Sequence, residues 1–299
     1  MANDDSVTYQ EDCDHIINCS PAKLAEALLR TESYYRKLTR VQTMEGWHGW
    51  DAYAPFYDWE NAQTLGRKDI AFWCQLARKA SGPILELGCG TGRVSAPVAR
   101  VAKSLVAIDR SEAMLDRAHI RLRRSRVRSR VKLLRGDIRL LPFRRRTKFD
   151  LVMAPYGILQ SLVREADLTA TLSAVARVTK KGSRFGVDLV PDLLRWDEYK
   201  RHVALRGQQR ARGSHLTLIE SVRQDRARHL TIFDQEYVER KGSHRTTHRF
   251  SLTFRTLSIR QITRRLERAG FHVEAVLGDY SGSEWNSGAE VWVVLAKRL

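Results

Sequence analysis

The strongest signal in this sequence is the stretch Pro83-Ile84-Leu85-Glu86-Leu87-Gly88-Cys89-Gly90-Thr91-Gly92-Arg93. A short apolar run ends in an acidic residue, three alternating glycines follow, and a helical pattern opens at Val94. This order predicts a strand, a tight turn and a helix. Glycine is needed where φ is positive or where a ligand lies against the backbone. A glycine turn after a first strand is where open α/β sheets hold nucleotide-like ligands.

Three further apolar runs also end in acidic or small residues. Residues 105–108 lead into Asp109, residues 131–135 into Gly136-Asp137-Ile138, and residues 149–153 into Ala154-Pro155-Tyr156. An acid at the end of the second strand can accept hydrogen bonds from both hydroxyls of a ribose. The four runs therefore predict four strands whose ends carry a ligand site.

In this order, the four strand ends resemble those of the class I S-adenosylmethionine (SAM) dependent methyltransferases. They carry Glu-x-Gly-x-Gly-x-Gly, then Asp, then Gly-Asp, then a small residue. The glycine spacing separates the chain from NAD-binding folds, which carry Gly-x-Gly-x-x-Gly. The resemblance covers about residues 46–299. It implies SAM as the methyl donor and S-adenosylhomocysteine as a product.

The resemblance also implies a cofactor site. Glu86, Gly88 and Gly90 would surround the aminocarboxypropyl end. Asp109 would take the ribose, and Met114 would cover one adenine face. Asp137 would accept from the adenine amino group, with a plain turn aspartate as the alternative, and the Ile138 amide would reach a ring nitrogen. The predicted cofactor-binding residues are Tyr57, Glu86, Gly88, Cys89, Gly90, Gly92, Asp109, Arg110, Met114, Gly136, Asp137, Ile138 and Ala154.

An aromatic segment precedes the first strand. Residues 46–59 hold five Trp or Tyr residues and one Phe between glycines and around Pro55. One interpretation is packing. The other is a lid, because the segment resembles the Tyr-rich segment that closes over the cofactor in small-molecule N-methyltransferases. Tyr53, Tyr57 and Tyr156 are the candidate catalytic residues, and His202 is a further candidate base.

The loop after the fourth strand bears on the acceptor. Enzymes that methylate the amino groups of DNA or RNA bases carry Asn or Asp, then Pro-Pro and an aromatic residue there, whereas this chain reads Ala154-Pro155-Tyr156-Gly157. The group that would accept from a base amino group is missing, and so is a Pro-Cys pair for attack on a pyrimidine ring. Residues 158–162 extend a mainly apolar wall. These features favour a small-molecule acceptor, most simply an amine nitrogen.

The alternation of strands and helices predicts an α/β fold with a doubly wound, mostly parallel, seven-stranded sheet. Between about residues 200 and 257, strand-like runs are joined by short polar turns, which predicts an antiparallel β insertion between strands five and six. This insertion resembles that of the sugar-amine and glycine N-methyltransferases, where the added sheet walls the substrate site. We expect an N-terminal helical extension (1–45), a SAM-binding core with the aromatic lid segment (46–199), the insertion (200–257) and a C-terminal completion of the sheet (258–299).

The formal net charge of the 299-residue chain is +18, which is typical of proteins that bind polyanions. The arginines of residues 121–130 and 144–146 lie near the loops that enter strands three and four, away from the ligand edge. We therefore favour solvated basic faces over nucleic-acid binding. The alternatives are an RNA methyltransferase and a non-catalytic protein that binds SAM or nucleic acid. A homodimer is left open.

Other features narrow the class of protein. No apolar run reaches the ~18–20 residues that span a bilayer, and the acidic N-terminus lacks the apolar region of a signal peptide. The four cysteines fit a reduced, cytoplasmic protein. Cys13, His15 and Cys19 lack a second ligand pair at zinc-like spacing, so we expect no metal site.

Overall fold

A computed structural model of the chain describes residues 49–64, 66–190, 198–210, 212–289 and 291–299. The predicted N-terminal extension (1–45) lies outside these residues, as do Cys13, His15, Cys19 and residues 46–48 of the aromatic segment. Within the described ranges, no helix has the length and apolar character needed to cross a membrane.

The described part of the chain alternates between helices and strands before and after an all-β stretch. The elements are α1 (Trp50–Gln63), α2 (Ile70–Arg78), β1 (Ile84–Leu87), α3 (Ser95–Val101), β2 (Leu105–Asp109), α4 (Glu112–Arg124), β3 (Val131–Arg135), β4 (Phe149–Ala154), a 3-10 turn (Ile158–Ser161), α5 (Glu165–Val178), β5 (Thr179–Leu189), β6 (Tyr199–Gln209), β7 (Ser214–Asp225), β8 (Leu230–Lys241), β9 (His244–Arg255), α6 (Ile259–Arg268), β10 (Phe271–Leu277) and β11 (Trp292–Arg298).

The core is a seven-stranded sheet with the strand order β10-β11-β5-β4-β1-β2-β3. Strands β1 to β5 pair in parallel, and β11 runs antiparallel to both β5 and β10. The order reverses between β4 and β1, and ligands bind outside the carboxyl ends of strands at such a switch point. The predicted doubly wound sheet is confirmed, and it brings the ends of β1, β2 and β4 together.

The helices cover both faces of this sheet. Neighbouring residues of a strand point to opposite faces, so Ile84 packs toward α2, α3 and α4, whereas Leu85 packs toward α5 and α6. Both side chains are fully buried. Burial on both faces explains why β1 reads as a continuous apolar run rather than as an alternating pattern.

Strand β5 begins earlier than the sequence suggests. We expected it to start near Ser183, after a helix stop at Lys180-Lys181-Gly182, but it starts at Thr179. The register against β4 jumps from the pair Phe149–Thr179 to the pair Leu151–Arg184. The extra residues form a bulge, in which Gly182 takes a φ of +78° that favours glycine.

The all-β stretch forms a second sheet with the order β6-β7-β8-β9, in which every pair is antiparallel. The predicted antiparallel insertion is confirmed. Its strands are longer than their apolar patterns, because the ladder continues into polar residues next to the turns. Strand β7, for example, spans Ser214–Asp225, whereas we expected residues 215–222.

Helix α1 joins the two sheets. Tyr53 and Phe56 are buried in a cluster with Tyr237 and Phe250 of the inserted sheet. The Phe56 and Tyr237 rings stack with their centroids 4.6 Å apart. Packing therefore explains Tyr53 and Phe56, whereas the lid function of the segment stays a prediction.

Candidate active site

The three glycines of the turn after β1 all have positive φ, but their surroundings differ. Gly88 has φ +60°, and a Cβ there would lie 2.5 Å from Cγ1 of Ile158. Gly92 has φ +75°, and a Cβ there would lie 3.2 Å from Cβ of Ala118. These two glycines are explained by close packing against the loop after β4 and against α4.

Gly90 differs from the other two turn glycines, because a side chain at this position would meet few neighbouring atoms. It has φ +53°, and among the described residues a Cβ there would meet only the Tyr57 ring, with Cε1 at 3.9 Å and the hydroxyl oxygen at 4.0 Å. The backbone at Gly90 therefore faces a cradle that is covered by one aromatic ring. Such a cradle fits a ligand that lies along the backbone of the turn.

Asp109, at the end of β2, holds this turn in place. Its Oδ2 accepts a hydrogen bond of 2.7 Å from the amide of Gly90, and its Oδ1 accepts one of 2.9 Å from the amide of Ser111. Burial raises the pKa of the Asp109 carboxyl, and the backbone donors oppose that shift. The carboxylate thus sits beside the cradle with lone pairs left on both oxygens, which suits a ligand hydroxyl.

Asp137, after β3, is already engaged. Its oxygens accept from Arg110 Nη1 at 3.0 Å, from Arg139 Nη2 at 2.7 Å and from the Arg139 amide at 2.8 Å. The side chain is 6% exposed, so this is a nearly buried ion pair. A ligand amino group at Asp137 would compete with Arg110 and Arg139 for the carboxylate oxygens, which the spacing of the sequence did not indicate.

The other predicted cofactor residues line the same edge of the sheet. Met114 is buried against the aromatic cluster of α1. The Ser111 hydroxyl, which caps the start of α4, accepts from the Met114 amide at 3.1 Å. Cys89 is buried in the glycine turn, and burial raises the pKa of its thiol, which disfavours the reactive thiolate. The remaining residues are buried or half-buried: Gly136, Ile138 and Ala154.

The loop after β4 is strained. Tyr156 is not glycine yet has φ +63°, and Gly157 follows with the same value. A non-glycine residue in this region costs on the order of 1–3 kcal/mol and occurs often at functional sites. The amide of Gly157 donates to the buried Asp188 at 2.8 Å, which fixes the loop. The Tyr156 ring remains 38% exposed, with the Arg93 guanidinium 5.5 Å from its centroid.

The candidate catalytic tyrosines contact one another, and His202 lies on the inserted sheet. The Tyr57 ring centroid is 6.0 Å from that of Tyr53 and 6.3 Å from that of Tyr156. Burial is the first cause that raises the pKa of both Tyr53 and Tyr57, which favours the protonated phenols, and the Tyr53 hydroxyl donates to Glu60. His202 is exposed on β6, next to Tyr199, and pairs with Glu220 of β7 in the inserted sheet.

Glu86 is a buried carboxyl below the turn. It is 1% exposed, and among the described residues its Oε2 has no hydrogen-bond partner. Burial raises its pKa from an ordinary 4.5 to about 8. A buried acceptor without a partner fits the ammonium group of an aminocarboxypropyl chain, which is the part of SAM that the resemblance assigns to Glu86.

We expect Glu86→Gln to change how stability depends on pH. In the unfolded chain a glutamate loses its proton near pH 4.5, whereas folded Glu86 keeps its proton until about pH 8. The folded state binds more protons in this window, so wild-type stability falls as pH rises through it, by up to roughly 1.4 kcal/mol per pH unit. The variant should lose this decline. Urea unfolding from pH 5 to 8 measures it, with the exposed Glu267→Gln as control; parallel pH curves for Glu86→Gln and wild type would contradict the assignment.

Helix α1 is tied directly to the glycine turn by a polar cluster. Asp58 accepts from the Thr91 hydroxyl at 2.6 Å and from Arg121 Nη2 at 2.7 Å, and Arg121 Nε donates to the Thr91 carbonyl at 2.9 Å. Our expectation that the whole 121–130 run lies away from the ligand edge is therefore wrong for Arg121. The last turns of α4 pass under the turn, which the position of Arg121 in the sequence did not show.

Arg121→Gln is expected to lower the affinity for SAM, because α1 would be held less firmly over the turn. The affinity for SAM should fall about two- to fivefold, as expected for the loss of a partly exposed ion pair. Arg124→Gln is the matched control, since Arg124 is exposed on the same helix. Calorimetric titration with SAM measures both. Equal affinity in the two variants would show that the cluster does not support the site.

Three polar groups beside the site were missed by the sequence analysis. Asp69 is fully buried and receives both Arg93 nitrogens, Nη1 at 2.6 Å and Nη2 at 2.7 Å. Asp188 accepts from the Tyr280 hydroxyl at 2.7 Å, and burial raises its pKa to about 6. Glu60 accepts from Tyr53 at 2.5 Å. Asp188 could have been noticed as the acid near the end of a fifth apolar run.

Comparisons with known proteins agree with this geometry. Residues 84–182 match the family model described as a methyltransferase domain. No curated protein sequence matches the chain. The fold is similar to that of a S-adenosylmethionine-dependent methyltransferase from Clostridium acetobutylicum, with 18% identity, 83% of this chain and 99% of that chain covered, and a TM-score of 0.69.

Two further solved structures share the fold. One is CalS10, an amino pentose methyltransferase from Micromonospora echinaspora, with 18% identity, 90% of this chain and 96% of that chain covered, and a TM-score of 0.59. The other is the sugar N-methyltransferase KedS8 from Streptoalloteichus, with 16% identity, 81% and 93% covered, and a TM-score of 0.64. At these identities the likeness establishes the class I methyltransferase fold.

Proposed function

We propose that this chain, which carries a methyltransferase domain of the class I fold, transfers the methyl group of SAM to the nitrogen of a small-molecule amine. The proposal rests on three grounds: the domain match, the structural likeness to sugar N-methyltransferases, and the shape of the site. The first ground supports the reaction and the cofactor, and the other two support the class of acceptor.

One observation carries the choice of a small acceptor. Helix α1 and the inserted sheet both contact loops at the carboxyl edge of the core sheet: Asp58 of α1 accepts from Thr91 in the glycine turn, and Gln160, just after the loop of Tyr156, donates to the Arg255 carbonyl at the end of β9. Gln209 of β6 also donates to the Pro55 carbonyl of α1 at 2.9 Å. Elements that contact both sides of this edge favour a compact acceptor over a polymer.

Different residues would bind the cofactor, orient it and exclude water during the transfer. SAM, when bound, supplies a methyl group that its sulfonium already activates. Glu86 and the backbone of Gly88 and Gly90 would hold the aminocarboxypropyl end, and Asp109 would hold the ribose. The chain then contributes orientation and the exclusion of water, which are the main requirements of an in-line displacement. The rings of Tyr57 and Tyr156 stand where they would exclude water.

The nucleic-acid alternative has a weaker basis. Several arginines bond to the protein itself: Arg177 donates to the carbonyls of Leu141 and Phe143, and Arg298 donates to those of Ala176 and Gly270. Cations that satisfy backbone carbonyls have fewer donors left for phosphates. An RNA acceptor remains the competing hypothesis.

The proposed function is tested with SAM that carries a tritiated methyl group. The full chain is incubated with pools of amino sugars and metabolite amines, with matching pools in which hydroxyls replace the amines, and with total RNA. We expect label in the small-molecule fraction of the amine pools. Label in RNA alone would replace the proposal with the RNA alternative. Tight SAM binding without transfer to any pool would favour a binding protein.

A further inference from the structure

Two carboxylates meet a shared glutamine between α1 and the inserted sheet. Glu60, near the end of α1, accepts from the hydroxyls of Tyr53 and Tyr237 through its Oε2. Its Oε1 receives one long contact, from Gln235 Nε2 at 3.3 Å. A carboxylate oxygen has room for two good hydrogen bonds, so Oε1 is underused.

Gln235 lies between this carboxylate and a second one. Its Nε2 also donates to Glu220 Oε2 at 2.9 Å, and Glu220 Oε1 accepts from the Tyr199 hydroxyl. Gln235 is only 4% exposed, and among the described residues its Oε1 has no hydrogen-bond partner. A buried acceptor of this kind is costly unless a donor arrives from a ligand.

The cluster has no positive charge of its own. Within the described residues, neither Glu60 nor Glu220 is within 4.0 Å of a lysine, arginine or histidine nitrogen, although the chain carries a net charge of +18. Glu236, which follows Gln235 on β8 and lies on the opposite face, shows the contrast, because it pairs with Arg249 at 3.1 Å and with Arg201 at 3.5 Å. Burial raises the pKa of Glu60, as expected for a carboxylate that lacks a cation.

Aromatic rings surround the cluster and connect it to the cradle. The Tyr237 ring centroid is 6.2 Å from that of Tyr53 and 6.2 Å from that of Trp59. Tyr53 in turn neighbours Tyr57, the residue whose ring covers Gly90. Aromatic faces beside a carboxylate favour an organic cation.

We propose that Glu60 and Gln235 form an ammonium subsite that selects an acceptor arriving as a protonated amine. The Oε1 atoms of both residues accept from its N–H groups, and the surrounding rings contact its carbon skeleton. Before transfer, the ammonium gives one N–H proton to the Glu60 carboxylate, so that the nitrogen has the lone pair that methyl transfer requires. This assignment rests on the proposed function, because it names the acceptor class for the same methyl transfer. It excludes anionic acceptors and disfavours alcohols of equal size, since an alcohol brings no charge to balance Glu60.

The test uses benzylammonium chloride and benzyl alcohol, which have similar size and differ in charge. Binding of each probe to the full-length chain at pH 7 is measured by quenching of tryptophan fluorescence and by calorimetry. Wild type should bind the cation at least about tenfold more tightly than the alcohol. Glu60→Gln should reduce this preference to within about threefold. The control Glu236→Gln, one residue past Gln235 and on the other face of β8, should keep it.

Each result has a stated meaning. No preference for the cation in wild type, or a preference that survives in Glu60→Gln, overturns the subsite. If Glu60→Gln fails to fold by circular dichroism, Gln235→Met removes the other acceptor, and an unchanged preference there overturns the subsite as well. SAM titration of the same variants separates the two proposals. If Glu60→Gln loses the preference for benzylammonium but still binds SAM, the subsite is supported even where no methyl transfer occurs. If the protein methylates an amine but Glu60→Gln keeps the preference, the proposed function stands and the subsite is rejected.

Discussion

Gly90→Val is expected to abolish measurable SAM binding, with a loss of at least about 100-fold in affinity, or about 2.7 kcal/mol. The valine side chain would fill the cradle between the turn and the Tyr57 ring, where a Cβ alone already comes within 3.9 Å of Cε1. The ligand and the side chain would then compete for the same space. Isothermal titration with SAM measures the loss.

Backbone strain must be separated from this steric effect, because Gly90 has φ +53° and valine disfavours that region. Gly182→Val is the matched control: Gly182 has φ +78°, and a Cβ there meets nothing within 4 Å among the described residues. Both variants should lose comparable stability in urea unfolding, while Gly182→Val keeps its SAM affinity. Normal SAM binding by Gly90→Val would show that the turn is purely structural.

Asp109→Ala is expected to weaken SAM binding by ~1–3 kcal/mol, because a charged acceptor beside the cradle is lost. The same change frees the amides of Gly90 and Ser111, so the turn itself loses an anchor. Calorimetry measures the affinity for SAM. Thermal unfolding without ligand measures the stability that is lost with the two hydrogen bonds to the turn. Asp116→Ala, an exposed position on α4, is the control.

The two roles of Asp109 give different results. If Asp109 only anchors the turn, the loss of stability appears without SAM and the affinity changes little under conditions where the variant is folded. If it also contacts the ligand, affinity falls in the fully folded variant. An Asp109→Ala variant that binds SAM as tightly as wild type would remove Asp109 from the cofactor site.

The sequence predicted the elements of the core well, because they depend on local patterns. The apolar runs before Gly88 and Asp109 became β1 and β2, and the acid after the second run lies beside the turn, where its strand end puts it. The change from helix-separated strands to strands joined by short turns marked the inserted sheet. In each case a few neighbouring residues carry the whole signal, so no long-range contact had to be known.

Contacts between distant segments were not predictable in the same way. The three glycines look alike in the sequence, yet Ile158 explains Gly88, Ala118 explains Gly92, and only Gly90 faces open space. Arg121 looked like part of a solvated basic run, but it bonds to Asp58 on another helix. No periodicity or spacing relates residues that are this far apart along the chain.

By itself, then, the sequence predicted which residues follow each of the first four strands, the antiparallel insertion and the resemblance to class I methyltransferases. Tertiary structure alone decided which glycine lies beside the Tyr57 ring with space around it, which arginine bonds to the turn, and that Glu60 lies beside Gln235, a residue 175 positions further along the chain. The physical reason is that backbone patterns follow from local dihedral preferences and burial. Side-chain partners depend instead on how the helices and sheets pack, and a buried acceptor without a donor becomes visible only after that packing is complete.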